Sequence, residues 1–336
     1  MSTVSLSLDE IQSLAHRCLR AAGADDANAE AVARILMMAE RDGATAHGLF
    51  RVPGYVAALN SGKVNGRAQP EISRRTPVIL HCHGGNGYAP LAHRMVIPAL
   101  VQAARSQGLA LAAITHSHHF AALWPEVEML AGEGLFALSC VSYMPSVAPA
   151  GGSRALFGTN PIAWAWPRPG QPPIVLDMAT AAMARGEVAV AARDGHPVPP
   201  GTGLDAQGQA TTDPARILEG VLLPFGGYKG AGLAMLVELL AGPMVGETFS
   251  FQTAARDNKD GGPPQGGQFL MAIDPARVSG SDPGPATEAF IEKLRGIDGA
   301  RLPGERRQAR RLDAGPRPID AALVEKLRAM AEPTAG

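Results

Sequence analysis

Residues 109–120 read Leu-Ala-Leu-Ala-Ala-Ile-Thr-His-Ser-His-His-Phe. An uncharged apolar run closed by histidines is the pattern of a buried strand that delivers polar side chains at its end. Comparable β-type runs recur at 78–82, 136–142, 162–166, 174–177 and 269–273. Helix-length segments at 91–106, 125–132 and 230–241 lie between several of them. A mixed α/β fold follows. Toward the N-terminus the texture turns helical. Ser7 and Glu10 form a capping-box pattern ahead of Ile11, Leu14, Cys18 and Leu19, which share one face, and Gly23 is a natural stop. Asp25 and Asp26 precede a second helix with Val32, Ile35, Leu36 and Ala39 inward. A third pattern runs through Leu49, Val52, Tyr55, Val56 and Leu59 to Gly62, and Pro53 places its start at 48–50. Segment 319–331 is helical again, while the polar, glycine-rich 252–267 reads as a surface loop.

The chain has 336 residues, 46% apolar and 18% charged, enough for two packed domains or one large one. Thirty basic and 31 acidic residues give a net charge of −1 without a block of like charge, so neither a nucleic-acid nor a membrane partner is expected. The nearest basic run is Arg306, Arg307, Arg310 and Arg311, which a small anionic ligand explains equally well. Cys18, Cys82 and Cys140 are odd in number and far apart, which argues against a disulfide framework or zinc ribbon. Residues 1–10 lack the basic start and apolar core of a secretory signal, and the apolar stretch 231–245 is too short to span a bilayer and carries Glu238. A cytoplasmic protein is the expectation.

Several constellations carry possible chemistry. With a helix from His47 onward, His47 and Arg51 share a face, placing a proton donor beside a clamp for a carboxylate. The plainer alternative pairs Arg51 with Asp42 and leaves His47 as a helix-start residue. His116, His118 and His119 suggest a metal, yet no Cys, Asp or Glu nearby completes a site, so strand-end histidines at a ligand crevice are favoured and no metal is expected. Phe157-Gly158-Thr159-Asn160-Pro161 holds two polar groups on a tight turn, which a plain turn also explains. Gly226, Gly227 and Gly230 around Lys229 make an anion seat at a helix start but fail the P-loop spacing, and no G-x-G-x-x-G follows a strand. Arg301-Leu302-Pro303-Gly304-Glu305-Arg306-Arg307 suits a phosphate or is simply a solvated turn.

Taken together, and in this order along the chain from about 39 to 307, these segments resemble the type-2 malate/L-lactate dehydrogenase family, whose NAD(P)-binding fold is unrelated to the Rossmann fold. Arg41-Asp42-Gly43, His47-Gly48 and Phe50-Arg51-Val52-Pro53-Gly54-Tyr55, with Ser117-His118-His119-Phe120-Ala121-Ala122-Leu123-Trp124-Pro125, look like its Δ1-piperideine-2-carboxylate/Δ1-pyrroline-2-carboxylate reductases. Malate- and lactate-type members tend to carry glycine after the His-Phe pair.

The resemblance implies a mixed, largely antiparallel sheet flanked by helices, with residues 73–311 as an NADPH-binding α/β domain. It implies a helical domain from 1–72 with 312–336, and a homodimer. The reaction implied is NADPH-dependent reduction of a cyclic imine bearing a 2-carboxylate, with NADH as a possible substitute. The alternative on the same fold is a 2-hydroxy-acid dehydrogenase. His47 would donate the proton, Arg51 clamp the carboxylate and Thr159 contact substrate. The cofactor would lie against His119, Phe120, Ala121, Ala122 and Leu123, then Asp177, Met178 and Ala179, then Tyr228, Lys229 and Gly230, and finally Arg301, Leu302, Pro303, Gly304, Glu305, Arg306 and Arg307. The reductases carry a serine before the histidine and a later aspartate as a relay. Here those positions are Ala46 and Glu187; Glu187 keeps the charge on a longer arm.

Overall fold

The computed structural model describes residues 2–119 and 121–332. Strand β1 (Thr3–Leu6) leads into helices α1 (Leu8–Ala21) and α2 (Asp26–Asp42). The predicted capping box is formed: Ser7 Oγ accepts from Glu10 N–H, and Glu10 accepts from Ser7 N–H at 2.7 Å. Ile11, Leu14, Cys18 and Leu19 of α1 pack on Val32 and Leu36 of α2 and on Leu49, Val52 and Tyr55. Each aliphatic side chain so buried contributes about 1.5–3 kcal/mol. This core is completed from the other end of the chain, by Ile319 in β12 (Arg317–Asp320) and by Val324 and Leu327 in α13 (Ala321–Met330). β12 pairs antiparallel with β1, Thr3 opposite Asp320 and Leu6 opposite Arg317.

Between these ends, after α3 (Val52–Asn60), comes the sheet. It uses β2 (Glu71–Thr76), β3 (Ile79–Tyr88), β4 (Leu109–His118), β5 (Phe136–Val141), β6 (Ile162–Trp166), β7 (Ile174–Met178) and the late β11 (Gln265–Ile273). Their order is β2-β3-β4-β11-β5-β6-β7. Only β3 and β4 run parallel, joined by the crossover helix α4 (Ala89–Gln107); the other pairs are antiparallel, as expected for this fold class.

Strict alternation along the strands sorts the two faces. Ala110, Ala112 and Ile114 of β4, with Leu270 and Ala272 of β11, face α4 and α5 (Trp124–Gly132). Ala113, Phe269 and Cys140 face α8 (Tyr228–Leu239), packing on Val237. A smaller excursion holds α6 (Arg185–Asp194), α7 (Pro214–Glu219) and a three-stranded sheet of β8 (Gly203–Leu204), β9 (Ala210–Thr211) and β10 (Val221–Leu222). Beyond α8 follow α9 (Ser250–Arg256), and, after β11, α10 (Pro275–Ser279), α11 (Gly284–Arg295) and α12 (Glu305–Arg311).

Two readings need correction. The stretch 252–267 is not one loop: α9 covers its start, and β11 begins at Gln265 because that strand is paired on both sides. The third helix starts at Val52 rather than at 48–50, since Gly48 leaves helical geometry (φ −94, ψ −142).

Candidate active site

Between α2 and α3 the chain makes two 3-10 turns, Thr45–His47 and Leu49–Arg51, in place of the predicted continuous helix. A buried side chain sets this geometry. Glu40 accepts a hydrogen bond from Leu49 N–H at 2.8 Å, and a Cβ at position 48 would collide with its carboxylate, so Gly48 is what lets the turn lie there. Burial pushes the Glu40 carboxyl up to about 7, against the pull of the Leu49 N–H. The Arg51–Asp42 pair considered above does not form. Asp42 is taken by Arg311 and Arg41, which hold its carboxyl low despite burial.

His47, Arg51, Thr159, His119 and Ala121 line one cleft of about 620 Å³. Arg51 Nε donates to Ala46 O at 2.7 Å, and Gly186, at the start of α6, leaves room for the guanidinium: a Cβ there would meet Nη2 at 2.9 Å. Val141, Tyr143 and Pro145 supply an apolar wall, and Arg185 adds a second cation. Burial first, then the neighbouring Arg51 and His119, push His47 down to about 3, so its imidazole is uncharged at neutral pH. The volume, the apolar wall and a few convergent polar groups suit a small planar molecule bearing a negative group.

The other predicted residues fall elsewhere. Ala122 and Leu123 are core residues. Asp177 accepts from Leu123 and Trp124 N–H at 2.8 and 3.0 Å, capping α5, and burial pushes it up to about 6 against those bonds. Met178 ends β7 opposite Ile162, and Ala179 packs in the core beneath α6. The segment Arg301 to Arg307 runs along edge strand β7: Val175 N–H donates to Pro303 O at 3.2 Å, and Arg307 donates to Val175 O while its guanidinium lies 5.4 Å from the Trp124 ring. Asp177 acts electrostatically on both His119 and Arg307. Tyr228, Lys229 and Gly230 open α8 outside the cleft lining, Tyr228 being 75% exposed. Phe120 lies outside the described residues.

Glu187 is engaged locally. It is exposed, its carboxylate accepts from Ala184 N–H, and no hydrogen bond or ion pair joins it to the imidazole among the described residues. The first turn of α6 uses this carboxylate locally.

The three histidines considered as a metal set diverge. His116 stacks on His83 at 4.1 Å, His118 meets Pro263 O at 3.1 Å, and His119 faces inward. A different trio, His93, His119 and Glu126, has ligand atoms within 4.8 Å of one another. Asn160, on the turn after Thr159, is structural: its Nδ2 donates to Glu238 Oε1 at 2.8 Å and to Ala234 O. Sequence reasoning missed Glu40, Tyr143, Arg185 and Gly186, whose roles arise only when α2, β5 and α6 meet.

An uncharged histidine beside an arginine in one cleft, in a chain with no dinucleotide fingerprint, makes a site that suits a small anionic molecule. The chain belongs to the malate/L-lactate dehydrogenase family, whose model matches residues 6–328, and is a nicotinamide-dependent enzyme. It is 44% identical over 306 residues to a Δ(1)-pyrroline-2-carboxylate/Δ(1)-piperideine-2-carboxylate reductase of Pseudomonas aeruginosa, covering 90% of this chain and 92% of that one. It is also 44% identical to a Δ(1)-pyrroline-2-carboxylate reductase of Ancylobacter novellus, covering 97% of each. Among solved structures, the Δ1-piperideine-2-carboxylate reductase of Pseudomonas syringae pvar. tomato superposes with a TM-score of 0.93 at 41% identity, covering 98% of this chain and 100% of that one.

Proposed function

We propose that the protein reduces cyclic imines bearing a 2-carboxylate, converting Δ1-piperideine-2-carboxylate to L-pipecolate and Δ1-pyrroline-2-carboxylate to L-proline with NADPH. The observation that carries this is the convergence of His47 and Arg51 on one cleft whose wall is formed by His119 and Thr159. A bound nicotinamide supplies the hydride. Arg51 orients the ring through its carboxylate, bringing the acceptor carbon to within roughly 3–3.5 Å of the hydride. Binding that carboxylate also offsets the Arg51 charge that helps hold His47 down, so the imidazole gains proton affinity as substrate arrives. His47 then holds a proton at the ring nitrogen, and the iminium carbon becomes the electrophile. Hydride on carbon and proton on nitrogen together give the secondary amine.

The preference for NADPH over NADH is carried over from the family resemblance, and Arg306 and Arg307 in the segment along β7 are compatible with a 2′-phosphate. The arrangement is read as a helical domain of 1–72 with 312–336 beside a cofactor domain of 73–311, in a homodimer. The dimer face is the outer side of α8 and the turn after it, where Met235, Leu236, Leu239 and, beyond the helix, Met244 stand exposed. Three buried free cysteines accord with a cytoplasmic setting.

Turnover of Δ1-pyrroline-2-carboxylate, Δ1-piperideine-2-carboxylate, pyruvate and oxaloacetate with NADPH tests the reading. The imines should dominate, and His47→Ala should lose about 10²–10⁴-fold in kcat while binding NADPH normally. Preferential reduction of a 2-oxo acid overturns it.

A further inference from the structure

The apolar stretch 231–245 carries a single charged side chain, and α8 turns it inward. Glu238 is 5% exposed and lies among the buried residues Ala231, Ala234 and Val237 of that helix. A carboxylate in such a place is costly unless donors surround it. Here they do. Oε1 accepts from Asn160 Nδ2 at 2.8 Å, from the Ser250 hydroxyl and, at 3.4 Å, from Gly158 N–H, while Oε2 accepts from Ser250 N–H at 2.9 Å. The Ser250 hydroxyl, its hydrogen given to Glu238, accepts in turn from Gly158 N–H at 3.3 Å. Gly158 and Asn160 are buried and stand on either side of Thr159. Asn160 keeps a left-handed φ of 40°, and its Nδ2 also donates to Ala234 O, one turn before Glu238 on the helix. Of these three turn residues only Thr159 lines the cleft. Its carbonyl is taken by Thr180, whose N–H and Oγ1 donate to it at 2.9 and 3.0 Å. Its hydroxyl has no hydrogen-bond partner among the described residues.

We propose that Glu238 is a positioning residue for substrate: by gripping the residues before and after Thr159, it aims the Thr159 hydroxyl into the cleft as a hydrogen-bond partner for the bound substrate. The assignment rests on the proposed reading of the cleft as the substrate site, whichever substrate it takes. Every group that bonds Glu238 is a donor, so a side chain that only accepts, on both of its oxygens, is what serves them. Without that acceptor the turn is held through Thr180 alone on this side, and a hydroxyl displaced by about 1 Å leaves hydrogen-bond range. Packing of α8 against α9 is the rival role, since Ser250 is the first residue of α9.

The test is steady-state kinetics on whichever of the two imines, pyruvate and oxaloacetate the wild-type enzyme turns over fastest. A win for a 2-oxo acid would overturn the imine reading and leave this assignment to be judged on the same measurements. Thr159→Val removes the hydroxyl at nearly constant shape and should raise KM about tenfold, with kcat kept within about twofold. Glu238→Met fills the space without an acceptor and should raise KM by a similar factor. Glu238→Gln, whose amide oxygen can take the place of Oε1, should recover most of that loss. In the double variant Thr159→Val/Glu238→Met, KM should be no higher than in Thr159→Val, because the grip then has no hydroxyl to aim. Losses that multiply would show Glu238 acting on the fold and not through Thr159, and would overturn the proposal. So would an unchanged KM in either single variant, or a Gln variant as impaired as the Met one. Should Glu238→Met not fold, Asn160→Gly decides: glycine accepts the left-handed φ and cuts the 2.8 Å bond from its other end. Its rise in KM must likewise vanish in the Thr159→Val background, and a rise that persists there sinks the assignment.

Discussion

Glu40 carries a buried carboxyl group against the turn at Gly48 and Leu49, and burial pushes it up to about 7, above the ordinary carboxylate range. The unfolded chain therefore releases this proton first, and wild-type stability falls as pH rises from about 4.5 to 7. Glu40→Gln keeps the acceptor for Leu49 N–H but cannot ionise. The variant should match wild type in Tm near pH 4 and be more stable by about 3 kcal/mol at pH 8. Parallel Tm curves across that range would remove Glu40 from this account. His47 and Arg51 could be picked out beforehand because an imidazole and a guanidinium four positions apart are conspicuous in a polar turn. Glu40 could not, since a glutamate among Ala39, Arg41 and Asp42 reads as a solvated helix end until Leu49 folds back over it. Ala46 and Glu187 stand where a relay was expected, and among the described residues no hydrogen bond joins Glu187 to His47.

Strands β4, β6 and β7 were legible because each is an apolar run set off by Gly108, Pro161 or Pro173. Strand β2 was not: all of its residues are exposed, so no buried period marks it, and only pairing with β3 makes it a strand. The 3-10 turns were read as helix because Leu49, Val52, Tyr55 and Val56 carry helical spacing, while the break depends on a long-range clash at Gly48. Helix α6 supplies the other side of that junction. In Gly186→Ala the new methyl group meets the flexible end of Arg51, so the fold should lose under about 1 kcal/mol while the guanidinium shifts. The KM for the cyclic imine should rise about tenfold, with NADPH Kd unchanged. An unaltered KM would show that Arg51 does not hold the carboxylate from this position.

At the scale of the molecule, one apolar cluster draws on the helices at both chain ends and another on the seven-stranded sheet. The apolar outer stripe of α8 was recognised only as a non-membrane segment, because hydropathy alone does not distinguish a face turned to the sheet from one turned outward. If that stripe joins two copies, Leu239→Glu should shift the protein from dimer to monomer in sedimentation velocity without changing its far-UV circular dichroism. A wild-type monomer at micromolar concentration would sink the assignment. The β1–β12 pairing has a consequence for biosynthesis. Residues 3–6 find their mates at 317–320, so this contact closes only after about 310 intervening residues have been made. A clasp of that span makes completion of the helical core, to which Ile319, Val324 and Leu327 contribute, a non-local step of folding.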